Sequence, residues 1–228
     1  CTGLKVTAAG PALTQADFTR GPSHVAALHR RLAPSLVRAE MLYQGQQHIR
    51  LMRGVEAARS RGHRISVSIV SAGYGLLAGD DAVAPYECTF KGMSMRERRE
   101  WAGHLALEES VNRLLVRTAD AAIVLLGDDY FSACVRMGKL IVGAPTIVFC
   151  GARTALRIQP ATNVHPVVLH ESDTRRFGCG LVGLKGEVAG RLLARLAGDP
   201  DRVHQLASPR LLDELDQSPL APVTRAMT

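Results

Sequence analysis

The sequence predicts an α/β fold, a three-layer sandwich on a mostly parallel central sheet, and three observations carry that expectation. Short β-branched runs alternate with longer segments of helical period, as strands and crossover helices do. Glycines stand at or just after the ends of the predicted strands, where the chain must turn tightly. The 228 residues, 46% hydrophobic and 21% charged, suffice for one large core. A single α/β domain over residues 1–208 is expected, followed by a loosely held C-terminal tail at 209–228.

Taken in order, the first forty residues are rich in Gly, Pro, Ala and Thr. Gly10-Pro11, Gly21-Pro22 and Pro34 interrupt any long element there, leaving loops around a short helix near Val25 to Leu32. From Tyr43 to Arg61 the spacing of Ile49, Met52, Val55 and Ala58 is helical, and Gly62 closes that helix. Ile65 to Val70 reads as a strand, so helix and strand together form half of a βαβ unit. Ser94-Met95-Arg96-Glu97 fits a capping box, in which hydroxyl and carboxylate satisfy free amides at a helix start. The helix it opens runs to about Arg117, with Trp101, Leu105, Leu107, Val111, Leu114 and Leu115 on one face and Arg99, Arg113 and Arg117 opposite. Glu108 falls within the apolar arc, which implies a buried, paired structural carboxylate. A strand at Ala121 to Leu126, a helix at Asp129 to Lys139, strands at Pro145 to Cys150 and Val164 to His170, and a helix at Leu184 to Leu196 complete the alternation.

Composition narrows the partners. Lys plus Arg number 28 against 21 for Asp plus Glu, a net charge of +7 that suits a polyanion such as nucleic acid. Cys1, Cys88, Cys134, Cys150 and Cys179 are odd in number with no C-x-x-C, as reduced thiols of a cytoplasmic protein would be. The eight histidines form no H-x-x-x-H pattern, so neither metal nor other cofactor is expected. No apolar run is long enough to span a membrane and no signal-peptide segment opens the chain, so no membrane association is expected. Gly178-Cys179-Gly180-Leu181-Val182-Gly183 is a G-x-G-x-x-G, yet a polar stretch with Arg175 and Arg176 separates it from the preceding strand. A dinucleotide fingerprint needs the turn directly after the strand, so a phosphate contact or a structural turn is the expectation here.

Ligands of open parallel sheets bind beyond the carboxyl ends of the strands, where loops and helix N-termini converge. Three loops carry polar residues there: Ser71-Ala72-Gly73-Tyr74-Gly75, Gly127-Asp128-Asp129-Tyr130 and Gly151-Ala152-Arg153. Tyr74, between two glycines, has little neighbouring bulk to pack on and is expected to face a ligand. Asp80, Asp81, Pro85, Tyr86 and Glu87 follow shortly, so one segment offers two aromatic rings and three carboxylates. Rings can hold flat bases, and a carboxylate can position water or balance a developing cation. Arg96, Arg98 and Arg99 form a basic cluster beside this segment, suited either to phosphates or to an ordinary solvated helix end.

The residues S-A-G-Y-G-L-L at 71–77 and P-Y-E at 85–87 resemble the S-A-x-Y-G-L and P-Y-(D/E) signatures of a little-characterised bacterial and phage family. Its members begin with a strand ending in C-S/T-x-x-K, which Cys1-Thr2-Gly3-Leu4-Lys5 matches. The resemblance covers about Cys1 to Gly151 and extends to archaeosine-synthase domains and the uracil-DNA-glycosylase-like superfamily. It implies a uracil-DNA-glycosylase-like α/β fold and the handling of a modified nucleobase, while the strict uracil-glycosylase motifs are missing. The resulting expectation is a DNA glycosylase-type hydrolase. Glu87 or Asp81 would serve water and cation, and Tyr74 and Tyr86 the base. Lys5, Cys1 and the segment Ser71, Ala72, Gly73, Tyr74 and Gly75 would contact the departing base or a phosphate, with Asp128 and Arg153 completing the cleft. Arg96, Arg98, Arg99, Arg175 and Arg176 would track the backbone. A non-catalytic module recognising modified nucleic acid or a free deazaguanine-type base, or a base-exchanging transferase, are the alternatives.

Overall fold

The structure, a computed structural model, describes Lys5, residues 12–199, Leu206, Ser208 and residues 210–216. From the amino end, β1 (Leu13–Thr14) leads into α1 (Gln15–Thr19) and α2 (Pro22–Arg31). A 3-10 turn, β2 (Val37–Arg38), α3 (Ala39–Leu42) and α4 (Gln46–Arg59) follow. Four short strands come next: β3 (Ser68–Ser71), β4 (Gly75–Ala78), β5 (Ala82–Val83) and β6 (Tyr86–Glu87). Then come α5 (Met95–His104), α6 (Leu107–Leu115), β7 (Ala122–Val124), α7 (Asp128–Cys134), β8 (Thr146–Cys150), α8 (Ala152–Ala155) and β9 (Val164–Val168). The described chain closes with α9 (Asp173–Arg176), α10 (Leu181–Leu196) and α11 (Leu211–Asp216).

The protein is a mixed α/β fold, but its strands do not join into one mostly parallel sheet. Among the described residues they form four small sheets: parallel β1–β6, antiparallel β2–β5, antiparallel β3–β4, and parallel β7–β8–β9. The local chemistry explains the difference. Instead of crossing over through a helix, β3 turns straight back into β4, because the Ser71 hydroxyl accepts from the amides of Gly73 (3.1 Å) and Tyr74 (2.9 Å) and Gly75 takes φ 78°.

β8 organises the core. All five of its residues are buried, and the period of two sends Ile147 and Phe149 to one side and Val148 and Cys150 to the other. The first side packs against Leu184, Val188 and Leu192 of α10 and Leu211 and Leu215 of α11. The second joins a larger cluster with Phe131 and Cys134 of α7, Leu107 and Val111 of α6, and the small sheets. Burying each such side chain stabilises the fold by about 1.5–3 kcal/mol. Helix α4 lies along α10, where Gly186 faces the Gln47 carbonyl and Gly190 faces Gly54. Buried Glu187 completes that contact by accepting from Arg50 (2.7 Å) and Arg191 (2.9 Å).

The capping box forms as expected: Ser94 Oγ accepts from the Glu97 amide and Glu97 accepts from the Ser94 amide. The helix it opens does not run unbroken to Arg117; Ala106 turns left-handed (φ 48°) and divides it into α5 and α6. As a result Glu108 sits exposed in the first turn of α6 rather than buried, where its charge suits the helix N-terminus. Within the expected loose tail, Leu211–Asp216 is helical, buries Leu211 and Leu215, and is tied down by Arg195–Glu214 and Arg176–Asp213 contacts of 2.7 Å each. Pro209 and residues 217–228 lie outside the described residues. Among the described residues no helix is long and apolar enough to cross a membrane.

Candidate functional site

Three phenols and a serine gather behind the β3–β4 turn. Tyr86 receives a hydrogen bond from Ser71 Oγ (2.8 Å) and shares another with the Tyr43 hydroxyl (2.7 Å). Tyr74 donates to the Ala84 carbonyl and accepts from the Ala84 amide, each at 3.1 Å, and its oxygen lies 2.9 Å from His29 Nε2. Phe18 sets its edge against both rings, 4.8 Å from Tyr74 and 5.8 Å from Tyr86. Burial pushes the Tyr74 phenol up to about 12. It also raises Tyr43 and Tyr86, with smaller contributions in the same direction from Tyr130 nearby.

This arrangement alters the expected roles. Tyr74 has neighbours on several sides and Tyr86 is 2% exposed, so neither ring presents an open stacking face. Gly73 is required by packing rather than by a ligand: a Cβ there would lie 2.5 Å from the Phe18 ring. The amides of Gly73 and Tyr74 are engaged by Ser71, and the buried Ala72 carbonyl accepts from Trp101 Nε1 (2.7 Å) and Cys88 Sγ (3.0 Å). A shallow hollow of about 270 Å³ beside Leu76 is lined also by Ser110, Arg113, Leu114 and Arg117.

Reactive groups remain at the outer edge of the cluster. Lys5 is half-buried and its backbone bridges to Tyr43; its Nζ lies 3.9 Å above the Tyr86 ring, and this ammonium makes no hydrogen bond or ion pair among the described residues. Burial lowers its pKa, while the charges of Glu87 and Cys88 oppose that shift. Glu87 is exposed on β6, opposite Thr14, and the buried Cys88 thiol is pushed up by desolvation and pulled back by Lys5. Asp81 is exposed and has a structural task, accepting from the Ala78 amide at 2.8 Å to close the β4–β5 turn. Cys1 lies outside the described residues.

A second polar group lies at the carboxyl edge of β7 and β8. Asp128 accepts from Thr154 Oγ1, joining the starts of α7 and α8. Lys185, its pKa lowered by burial, donates to the Leu126 carbonyl (2.7 Å), and Gln47 donates to that of Leu125 (2.9 Å). Four helices capped by Gly45, Gly127, Gly151 and Gly180 therefore begin around one strand end. Arg153 is exposed on α8, outside these bonds.

The expected basic residues divide. Arg98 pairs with Asp129 (2.7 Å) and bonds Ser132 and Met93, so it ties α5 to α7. Arg176 pairs with Asp213 and Asp216, and Arg96 with Glu100. Arg99 and Arg175 are exposed. Sequence reasoning missed Tyr43, His29, Cys88 and Lys185; the scarcity of aromatic residues was the signal that could have marked Tyr43. Among the described residues no three of His, Cys, Asp and Glu gather as a metal site, and Cys88, Cys134, Cys150 and Cys179 are free thiols.

Residues 26–145 match DUF6884, a family of unknown function. The chain belongs to DUF6884. No curated protein and no solved structure matches it. The DUF6884 span contains Tyr43, Ser71, Tyr74, Tyr86, Glu87 and Asp128, so the hydroxyl network and its exposed carboxylate lie within the family region. Lys5, Arg153 and Lys185 lie beyond it.

Proposed function

We propose that this DUF6884 chain is a DNA glycosylase-type hydrolase of the cytoplasm that excises a modified base by cleaving its N-glycosidic bond. The observation that carries the reading is the exposed Glu87 carboxylate beside Lys5, whose ammonium is held over Tyr86 without a hydrogen-bond partner among the described residues. The target nucleotide leaves the stack, and the C1′–N bond breaks toward an oxocarbenium-like sugar. Glu87 orients a water, whose oxygen bonds to C1′ and whose proton passes to the carboxylate. Lys5 donates a proton to the departing base. Asp81, committed to its turn, is the weaker candidate for this work. The same reading extends the α/β architecture to a three-layer, uracil-DNA-glycosylase-like arrangement with β7–β8–β9 at its centre.

The test is base release and DNA affinity measured together on a panel of modified DNA. Glu87→Gln should spare binding and slow release by about a hundredfold or more, because its charge acts chiefly in the transition state. Asp81→Asn should retain turnover in a thermally matched preparation. Full turnover in Glu87→Gln would end the catalytic assignment.

One observation favours a second reading. The Tyr74 and Tyr86 rings are packed on other aromatic rings and their hydroxyls are bonded, leaving no ready aromatic clamp for a flipped base. A non-catalytic module that recognises modified nucleic acid without taking a base out of the stack would need no such clamp at Glu87. Binding without release of base from any substrate would favour the module.

A further inference from the structure

From Tyr130 to His170 the chain contains no Asp or Glu, while Arg136, Lys139, Arg153 and Arg157 are all exposed. None of the four makes an ion pair among the described residues, unlike Arg96, Arg98 and Arg176. The fold presses their two segments together. The Gln159 amide donates to the Gly138 carbonyl (2.9 Å), and Gln159 Nε2 donates to the Met137 carbonyl (3.1 Å). Gly138 lies so close to the Arg157 carbonyl that a Cβ would meet its oxygen at 1.6 Å.

Two apolar side chains project from this cationic face. Leu156 is 89% exposed beside Arg157, three residues beyond Arg153, and Met137 is 81% exposed between Arg136 and Gly138. Met137 holds φ 53°, a strained conformation for a residue with a long side chain, fixed by the Gln159 contacts that follow it. Unpaired cations around an exposed, flexible apolar side chain are the combination with which proteins grip phosphates and part a base step.

We propose that this face docks duplex DNA, with Arg136, Lys139, Arg153 and Arg157 on backbone phosphates and Met137 entering as an apolar wedge between base pairs. The inference rests on the nucleic-acid part of the proposed function, not on base excision.

The full chain is titrated onto a 20-base-pair duplex bearing 2-aminopurine, with anisotropy followed over a KCl series. Replacing all four cations by Gln should flatten the slope of log K against log salt by about three to four, since each phosphate contact contributes roughly 0.9. The R30Q/R31Q control, at the exposed end of α2, should keep the wild-type slope. Met137→Ala should abolish the rise in 2-aminopurine fluorescence that reports unstacking. An unchanged slope in the quadruple variant, with its thermal transition intact, would overturn the proposal. So would wild-type protein that binds phosphatidylserine vesicles but not the duplex. A flattened slope together with no base release from any DNA would uphold the docking face and remove the excision reading alone.

Discussion

The Tyr43 hydroxyl lies 2.7 Å from the Tyr86 hydroxyl, and both phenols are buried, so the link between them is closed to water. Tyr43→Phe deletes one bond and leaves Tyr86 its contact with Ser71; urea unfolding should show a loss of about 1 kcal/mol. Ser71→Ala removes a donor to Tyr86 and the acceptor of two amides, so it should cost more, about 1–3 kcal/mol. The double variant should lose less than the sum, because both substitutions act on one network. Additive losses would show that the hydroxyls do not act as a unit.

His29 gives the turn a dependence on pH. His29 Nε2 lies 2.9 Å from the Tyr74 hydroxyl, and its half-buried ring takes up a proton as the pH falls. Burial lowers its pKa from 6.5, so the unfolded chain takes up this proton before the folded one. The resulting stability is present above about pH 6.5 and is lost as pH falls through the depressed folded value. The His29→Gln variant should show a flatter stability curve below pH 6.5 than wild type, measured by denaturant midpoints in steps of half a pH unit. Parallel curves would place the dependence elsewhere.

Local signals with nearby partners were legible in the sequence. Ser94 and Glu97 specify their own bonds three residues apart, and the short β-branched T-I-V-F-C run of β8, between Pro145 and Gly151, reads as a strand. The β3–β4 hairpin was not legible, because Ser71 followed by glycines suits a crossover loop as well as a turn closed by its own hydroxyl. Tyr74 misled for a related reason. Its flanking glycines leave space in sequence, but Phe18, more than fifty residues earlier, fills it. Glu87 was legible as a carboxylate in a polar segment, whereas the proximity of Lys5 depends on long-range strand pairing, which periodicity does not encode.

Helical glycines supply a final test, because the same substitution should have opposite signs at two positions. In a helix interior Ala is favoured over Gly by roughly 0.5–1 kcal/mol through backbone entropy. Gly103, near the end of α5, has open space where a Cβ would stand, so Gly103→Ala should stabilise by about that amount. At Gly186 a Cβ would lie 1.9 Å from the Gln47 oxygen, and backbone atoms cannot swing aside as a flexible side chain would. Helices α4 and α10 would have to separate, disturbing the buried Arg50–Glu187 pair and the contact of Gly54 with Gly190. Overpacking of this kind costs typically 1–3 kcal/mol, which exceeds the helical gain, so Gly186→Ala should be destabilising. Thermal unfolding of the two variants side by side decides the matter: a higher midpoint for Gly103→Ala and a lower one for Gly186→Ala are expected. A Gly186→Ala protein as stable as wild type would mean that α4 and α10 do not approach this closely in solution.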